Sequence, residues 1–348
     1  MRIRTALSVT ATTAAALMLS ACAAGEGSSV VEDAPEPAVS ADAEGWSDDT
    51  LTLDYATYNP LSLIIKEQGW LEATLDDVTV TWVQSAGSNK ANEALRAGAI
   101  DVGSTAGSAA LLAKANGSPI QTIGIYTQPE WAAIVVPAGS DITSVEQLAG
   151  RSVAATKGTD PYFFLLQSLE EHGVALGDVE VQNLQHADGK AALESGAVDA
   201  WSGLDPLMAA SEATAGSRLI YRNIDFNTYG FLNATQDFIT ANPDLAQVVL
   251  DAYEKARAWA IENPEETAQI LADTAGIDLA IAQKVILERT VIDLDVVPGD
   301  EQRDVLSVVG PIFVDSGDVS SQADIDTALD GLFHTEFAEN ADPAPIAD

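Results

Sequence analysis

Cysteine is nearly absent from this chain, histidine is scarce, and positive charge is far outnumbered. The 348 residues contain one cysteine, Cys22, and three histidines, His172, His186 and His334. A lone cysteine cannot close an internal disulfide, and with so few histidines it leaves no Cys/His set for a structural zinc. The histidines show no i, i+4 pairing and no neighbouring carboxylate motif. No nucleophile elbow, H-E-x-x-H pair or phosphate-binding loop occurs, so catalytic chemistry has little support and no cofactor is expected. Sixteen Lys and Arg stand against 53 Asp and Glu, a net charge of −37. Nucleic acid needs clustered basic residues, and so does a peripheral patch on anionic lipid; both are disfavoured. Dispersed carboxylates instead make a solvated, self-repelling surface.

What is present is apolar mass and repetition. Apolar residues make up 47% of the chain, enough for real cores, and the length favours two domains over one. Leu95-Arg96-Ala97-Gly98-Ala99-Ile100-Asp101 returns as Leu193-Glu194-Ser195-Gly196-Ala197-Val198-Asp199. Both copies read L-x-x-G-A-[IV]-D. A β-prone run precedes each, Val78 to Val83 and Val179 to Leu184. Further back, Asn59-Pro60 and Asp160-Pro161 each open an apolar segment. The glycine of each copy suits a left-handed helix C′ position, and the apolar residue after it begins a buried strand. Two facing lobes of the same α/β build are therefore expected. Their strands should end at small polar residues, Gly103-Ser104-Thr105 and Ser202-Gly203. In open α/β sheets, ligands sit beyond such strand ends.

The N-terminus reads as a targeting segment and is set aside from fold reasoning. Arg2 and Arg4 precede a short apolar run, Ala6 to Leu19, too short for a good membrane span. Leu19-Ser20-Ala21-Cys22 resembles the lipobox of bacterial lipoproteins. That resemblance implies a signal peptide over 1–22 and a lipid anchor on Cys22. Residues 23–49, rich in Ser, Ala, Gly, Pro and acid, read as a flexible tether with a reach of roughly 30 Å.

Hydrophobic spacing then predicts lobe 1 over 50–133 plus 232–337 and lobe 2 over 134–231. The crossings between lobes are expected near Val135-Val136 and Gly230-Phe231. Asn59 is predicted to cap a helix from Leu61 to Leu71, and helices are predicted at Pro264 to Ala275, Leu279 to Arg289 and Arg303 to Phe313. The acidic stretch 338–348 is expected to be a disordered tail.

Several helices are expected to start at the cleft with small or hydroxyl residues. Free amides and the helix dipole make such starts anion sites, and hydroxyls add donors without charge. The candidate ligand-binding residues are Tyr58, Asn59, Ser85, Ser104, Thr105, Gly158 and Thr159; Trp131 and Trp201, near the expected cleft edges, read first as core packing and alternatively as apolar walls for a ligand's carbon chain. Asp160 and Asp205 precede prolines and read most simply as N-caps; alternatively one of them meets a ligand ammonium. No arginine lies in these stretches, and Lys90 and Lys157 are the only nearby cations.

The run VTWVQSAGSNKANEALRAGAIDVGSTAGSAALL from Val80 resembles periplasmic binding proteins of the nitrate/sulfonate/taurine type. So do VEQLAGRSVAATKGTDPYFFLLQSL from Val145 and GAVDAWSGLDPLMA from Gly196. The resemblance implies a type II periplasmic-binding-protein-like α/β fold, two-lobed, with a ligand cleft between lobes. It further implies the solute-binding component of an ABC importer, partnered by a permease and an ATPase and acting as a monomer on a small anionic solute. Aliphatic sulfonates are the first expectation; nitrate, bicarbonate, taurine or a pyrimidine precursor remain open. Some relatives of this fold are pyrimidine-precursor synthases, but their cysteine-rich signature is missing here.

Overall fold

The computed structural model describes residues 45–348. The expected targeting segment with Cys22 and the expected tether up to residue 44 lie outside the described residues. Eleven strands are defined among the described residues. They are β1 (Thr50–Tyr55), β2 (Thr79–Gln84), β3 (Val102–Ala106), β4 (Ile120–Pro129), β5 (Ala132–Val136), β6 (Ser152–Ala155), β7 (Glu180–Asn183), β8 (Ala200–Leu204), β9 (Arg218–Tyr221), β10 (Gly230–Thr235) and β11 (Thr290–Val291). They form a six-stranded sheet, β11-β4-β10-β3-β1-β2, and a five-stranded sheet, β7-β6-β8-β5-β9.

The orders β2-β1-β3-β10-β4 and β7-β6-β8-β5-β9 have the same form. In each, three parallel strands are followed by one antiparallel strand. That antiparallel strand is the one entering from the other sheet: β5 follows β4 directly, and β10 follows β9. The repeated heptad explains the likeness. Leu95 and Leu193 are buried, as are Ile100 and Val198. Gly98 and Gly196 have φ of 64° and 75°, a left-handed conformation that a side chain would strain. Asp101 Oδ2 accepts the Thr52 amide at 2.8 Å, and Asp199 Oδ2 accepts the Ser152 amide at 2.8 Å. Each copy thus ends its helix, starts its strand and clamps the neighbouring strand with a carboxylate.

The small residues expected at strand ends lie inside the strands instead. Gly103, Ser104 and Thr105 belong to β3; Ser202 and Gly203 belong to β8. Packing is the reason. A Cβ on Gly103 would come within 2.9 Å of the Ile100 side chain, and one on Gly203 within 3.0 Å of Val135. These central strands are covered closely, so their small residues answer to neighbours and not to a turn.

The chain passes from the six-stranded to the five-stranded sheet at Glu130-Trp131, and returns through residues 222–229. Both passages lie a few residues before the positions expected from sequence, because β5 begins at Ala132 and β10 at Gly230. They are tied to each other: Asn227 Oδ1 accepts the Ala132 amide at 3.0 Å, and Arg222 forks onto Glu130.

Asn59 caps its helix as expected, accepting the Ser62 amide, with Pro60 as the first helical residue. That helix does not run on to Leu71. Gly69 turns left-handed and splits it into Pro60–Gln68 and Trp70–Thr74. The predicted helix from Leu279 becomes an α-helix, Leu279–Gln283, and a π-turn, Lys284–Glu288. The C-terminal helices pack on the six-stranded sheet, and one of them also meets the other half. Phe313 of the helix Asp300–Asp315 stacks edge-on against Phe163 of the helix Asp160–Glu171, centroids 4.3 Å apart.

Two segments expected to be loose are fixed. Near the end of the expected tether, Trp46 packs on the core and the Ser47 amide donates to Asp244 at 2.8 Å. The stretch 338–348 buries Ala338 and Ile346, and Lys255 Nζ donates to the carbonyls of Ile346 and Ala347. Apolar Ile346 gives this acidic end something to bury, which its composition masked.

Candidate functional site

A cavity of about 240 Å³ lies between the two halves. One wall comes from the six-stranded half: Thr57 and Tyr58 after β1, Gln84 to Ala86 at the end of β2, and Thr274, Ala275 and Ile277. The other comes from the five-stranded half: Gln185 to Ala187, and Leu204 to Leu207 at the end of β8. Tyr58, Ser85, His186, Leu204 and Asp205 are buried at its inner end, while Gln84, Ala86, Ala187 and Thr274 are exposed at its mouth. Beyond Tyr58, His186 and Leu204 lies a void of about 10 Å³, also lined by Ser88, Ala106, Trp131, Thr159 and Asp160. That is room for about one water molecule.

Four helices begin at this void. They are Ser88–Arg96, Gly107–Ala115 after its cap Ala106, Asp160–Glu171 after its cap Thr159, and His186–Ser195. Their first amides have no intrahelical acceptor, and their dipoles favour negative charge at this point. The chain supplies that charge itself. Asp160 is 1% exposed. Its Oδ1 accepts from Ser108 Oγ at 2.5 Å and Thr228 Oγ1 at 2.7 Å. Its Oδ2 accepts from Trp131 Nε1 at 2.8 Å and the Thr228 amide at 2.9 Å. Asp160 is therefore not a cap: both oxygens join the two halves and the two crossings. Burial raises its carboxyl above the usual range, and these four donors oppose the shift.

The remaining candidates separate into those at the cavity and those elsewhere. Tyr58, Ser85, Trp131, Thr159 and Asp205 line it or the adjoining voids. The Tyr58 hydroxyl donates to Ser104 O at 3.1 Å, so its ring, packed edge-on against Trp131, is what faces inward. Thr159 Oγ1 donates to Thr156 O. Asn59 is a buried cap whose amide donates to Tyr253 OH. Ser104 donates from both N and Oγ to Asp54, and Thr105 donates to Ala106 O and accepts from Asn233. Trp201 is fully buried in the second half's core. Gly158 lines a separate groove with Asn89 and Asn92. Asn59, Ser104, Thr105, Trp201 and Gly158 thus do not line the cavity: strand and core positions took residues whose chemistry suggested a ligand.

Sequence reasoning missed Gln185, His186 and Arg289. Arg289 sits just after the π-turn and donates to Asp205 at 3.0 Å and to Glu212 at 2.6 Å. Asp205 also accepts the Ala209 amide, so it does act near its helix start. Burial raises the Asp205 carboxyl even with this guanidinium beside it. Arg289 lies far along the chain, and no local pattern announces it. Lys90 pairs with Glu93 and Lys157 stands over the Tyr162 ring; neither lines the cavity. Among the described residues no group of three His, Cys, Asp or Glu could hold a metal ion.

Similar proteins are known. The profile of a family described as NMT1/THI5 like matches residues 62–267. A protein of Escherichia coli (strain K12) that carries the name of an aliphatic sulfonates-binding protein is 30% identical over 233 residues, 66% of this chain and 73% of that one. The solved structure of the Escherichia coli periplasmic aliphatic sulphonate binding protein SsuA aligns with a TM-score of 0.70 at 26% identity. It covers 83% of this chain and 93% of that one. The alkanesulfonate-binding protein SsuA from Xanthomonas axonopodis pv. citri, bound to MOPS, aligns with a TM-score of 0.73 at 24% identity, over 81% of this chain and 98% of that one. The periplasmic-binding-protein fold expected from sequence is the fold observed.

Beneath Ser85 and Ser104 lies a testable ionisation. Asp54 is buried, and burial pushes its carboxyl up to about 7 although Ser85 and Ser104 hold it down. Its Oδ2 has no hydrogen-bond partner among the described residues. An unfolded aspartate titrates near ~3.9, so between that pH and about 7 the folded chain holds an extra proton. Stability from this group is present at low pH and is lost as pH rises through that window. Between pH 5 and pH 8 the native chain should lose about 2 kcal/mol more than Asp54→Asn, measured by urea denaturation. Equal losses in both would place the Asp54 titration elsewhere.

Proposed function

The chain belongs to the NMT1/THI5-like family, and on that premise we propose that it is the extracytoplasmic solute-binding component of an ABC importer for aliphatic sulfonates. The observation that carries this reading is the cavity between two halves, with helix N-termini converging at its inner end. A sulfonate is a permanent anion with three acceptor oxygens. Helix amides and the Ser88 hydroxyl can meet those oxygens without a counter-charge. Ser88 Oγ accepts the Ala106 amide at 2.9 Å, which leaves its own proton free to give. The carbon chain would lie along Tyr58, Leu204, Leu207, Ala275 and Ile277, all on the cavity wall.

The inner void is too small for a sulfonate head while the halves stay in contact. Entry therefore requires them to part, with Glu130-Trp131 and residues 222–229 as the two hinges. Reclosure would bury the solute and present one continuous face to the permease, which with its ATPase is the expected partner. Binding rather than catalysis fits the lining: His186, the imidazole on the wall, bonds Thr156 and not a wall serine. The relative named for sulfonate binding supports the same class of solute.

Calorimetry with short alkanesulfonates, nitrate, bicarbonate and a pyrimidine precursor tests the proposal. Alkanesulfonates should bind near ~1 μM, about −8 kcal/mol, and the others at least about 100-fold more weakly. Binding of any of the others with none of the sulfonates would overturn it. Attachment at Cys22 is a separate proposal, resting on the lipobox-like Leu19 to Cys22. Expressed in a bacterial host, the full chain should incorporate labelled fatty acid and the Cys22→Ser chain should not; label in both would remove the anchor.

A further inference from the structure

His186 heads the helix His186–Ser195 and is 2% exposed. Its Nδ1 lies 3.1 Å from Thr156 Oγ1. The single proton of that hydroxyl goes to Leu184 O at 2.7 Å. Thr156 is therefore the acceptor towards the ring. Nδ1 carries the imidazole proton, and Nε2 carries a lone pair. Burial keeps the ring neutral, pushing its pKa down to about 3.

Nε2 has no hydrogen-bond partner among the described residues, although His186 is a wall of both the 240 Å³ cavity and the inner void. Room for it is kept by Gly87 in the opposite half, where a Cβ would come within 2.9 Å of Nε2. Gln185, the next residue along the same wall, has a second unpartnered buried acceptor in Oε1. A buried acceptor left without a donor is costly, and a sulfonate, which offers only acceptors, cannot relieve it. The carboxylates that might take a cationic solute group are already engaged. Asp160 accepts four hydrogen bonds, and Asp205 is held by Arg289 and the Ala209 amide.

We propose that His186 Nε2 is a specificity-determining acceptor for a hydrogen-bond donor on the solute's carbon chain, so that the site selects hydroxy- or amino-alkanesulfonates over unsubstituted ones. The inference rests on the sulfonate-receptor reading and narrows it. It places the sulfonate head towards the Ser88 side of the inner end and the chain's donor against the start of the His186 helix. A hydroxyl and an ammonium share the chemistry that Nε2 accepts, and the choice between them is a measurement.

The test is calorimetry on the full chain with ethanesulfonate, 2-hydroxyethanesulfonate and 2-aminoethanesulfonate. At least one of the two substituted solutes should bind about tenfold or more tightly than ethanesulfonate. His186→Leu should erase that preference, bringing the affinities for the three solutes to within about twofold of one another, whereas His186→Gln, which keeps an acceptor, should retain part of it. Nitrogen-15 NMR of the native protein gives a readout that needs no variant. Nε2 should be unprotonated in the free protein, and its resonance should move with the preferred solute and not with ethanesulfonate. Equal binding of all three solutes, an unchanged preference in His186→Leu, or a protonated Nε2 would overturn the inference alone. No binding of any of the three would overturn the sulfonate reading together with it.

Discussion

The buried carboxylate of Asp160 holds the centre of this molecule together. It stands where four helices begin, so their dipoles favour its charge. Its four donors come from three places that the chain order keeps apart. Ser108 is in the helix after β3, Trp131 is in the first crossing, and Thr228 is in the second. Hydrogen bonds to a charged group contribute about 1.5–3 kcal/mol each, against a desolvation cost of several kcal/mol for the ion. Together the four donors offset that cost, and the loss of any one weakens the tie. Anything that separates the halves must break some of these bonds, so one residue couples the position of the lobes to the state of the site.

The same economy of charge runs through the rest of the seam. Arg289, a cation that could have gripped an anion, is divided between Asp205 and Glu212. Lys90 and Lys157 remain outside. Apart from Asp160 and Asp205, whose oxygens are already engaged, the cavity is left with neutral groups: helix amides, serine hydroxyls, an uncharged imidazole and apolar side chains. Recognition of an anion by oriented dipoles suits a chain with so large an excess of acid. A free guanidinium in the cleft would draw the protein's own carboxylates as readily as a solute.

Much of the fold was legible because its causes are local. The two heptads specify helix end, strand start and strand clamp within seven residues, and Asn59-Pro60 specifies a helix start within two. The site was less legible because its causes are tertiary. Ser104 and Thr105 have the residue types of a ligand-binding turn, yet their strand lies between β1 and β10 and their donors serve Asp54 and Ala106. Asp160 looks like a cap because it precedes Pro161; only the approach of Ser108 and Thr228 makes it a tie between halves. His186 has no sequence partner at helical spacing, and what makes it notable is a lone pair facing Gly87 from the other half. The end of the chain was misjudged for a related reason: its acidic composition outweighed one isoleucine that finds a pocket.

The central claim is that Asp160 joins the halves. Replacing it with asparagine keeps the shape but turns an amide NH₂ towards groups that are themselves donors. Measured without added solute by urea denaturation and small-angle X-ray scattering, Asp160→Asn should lose on the order of 3 kcal/mol of stability and scatter as a more open particle. Unchanged stability together with an unchanged scattering profile would contradict the account.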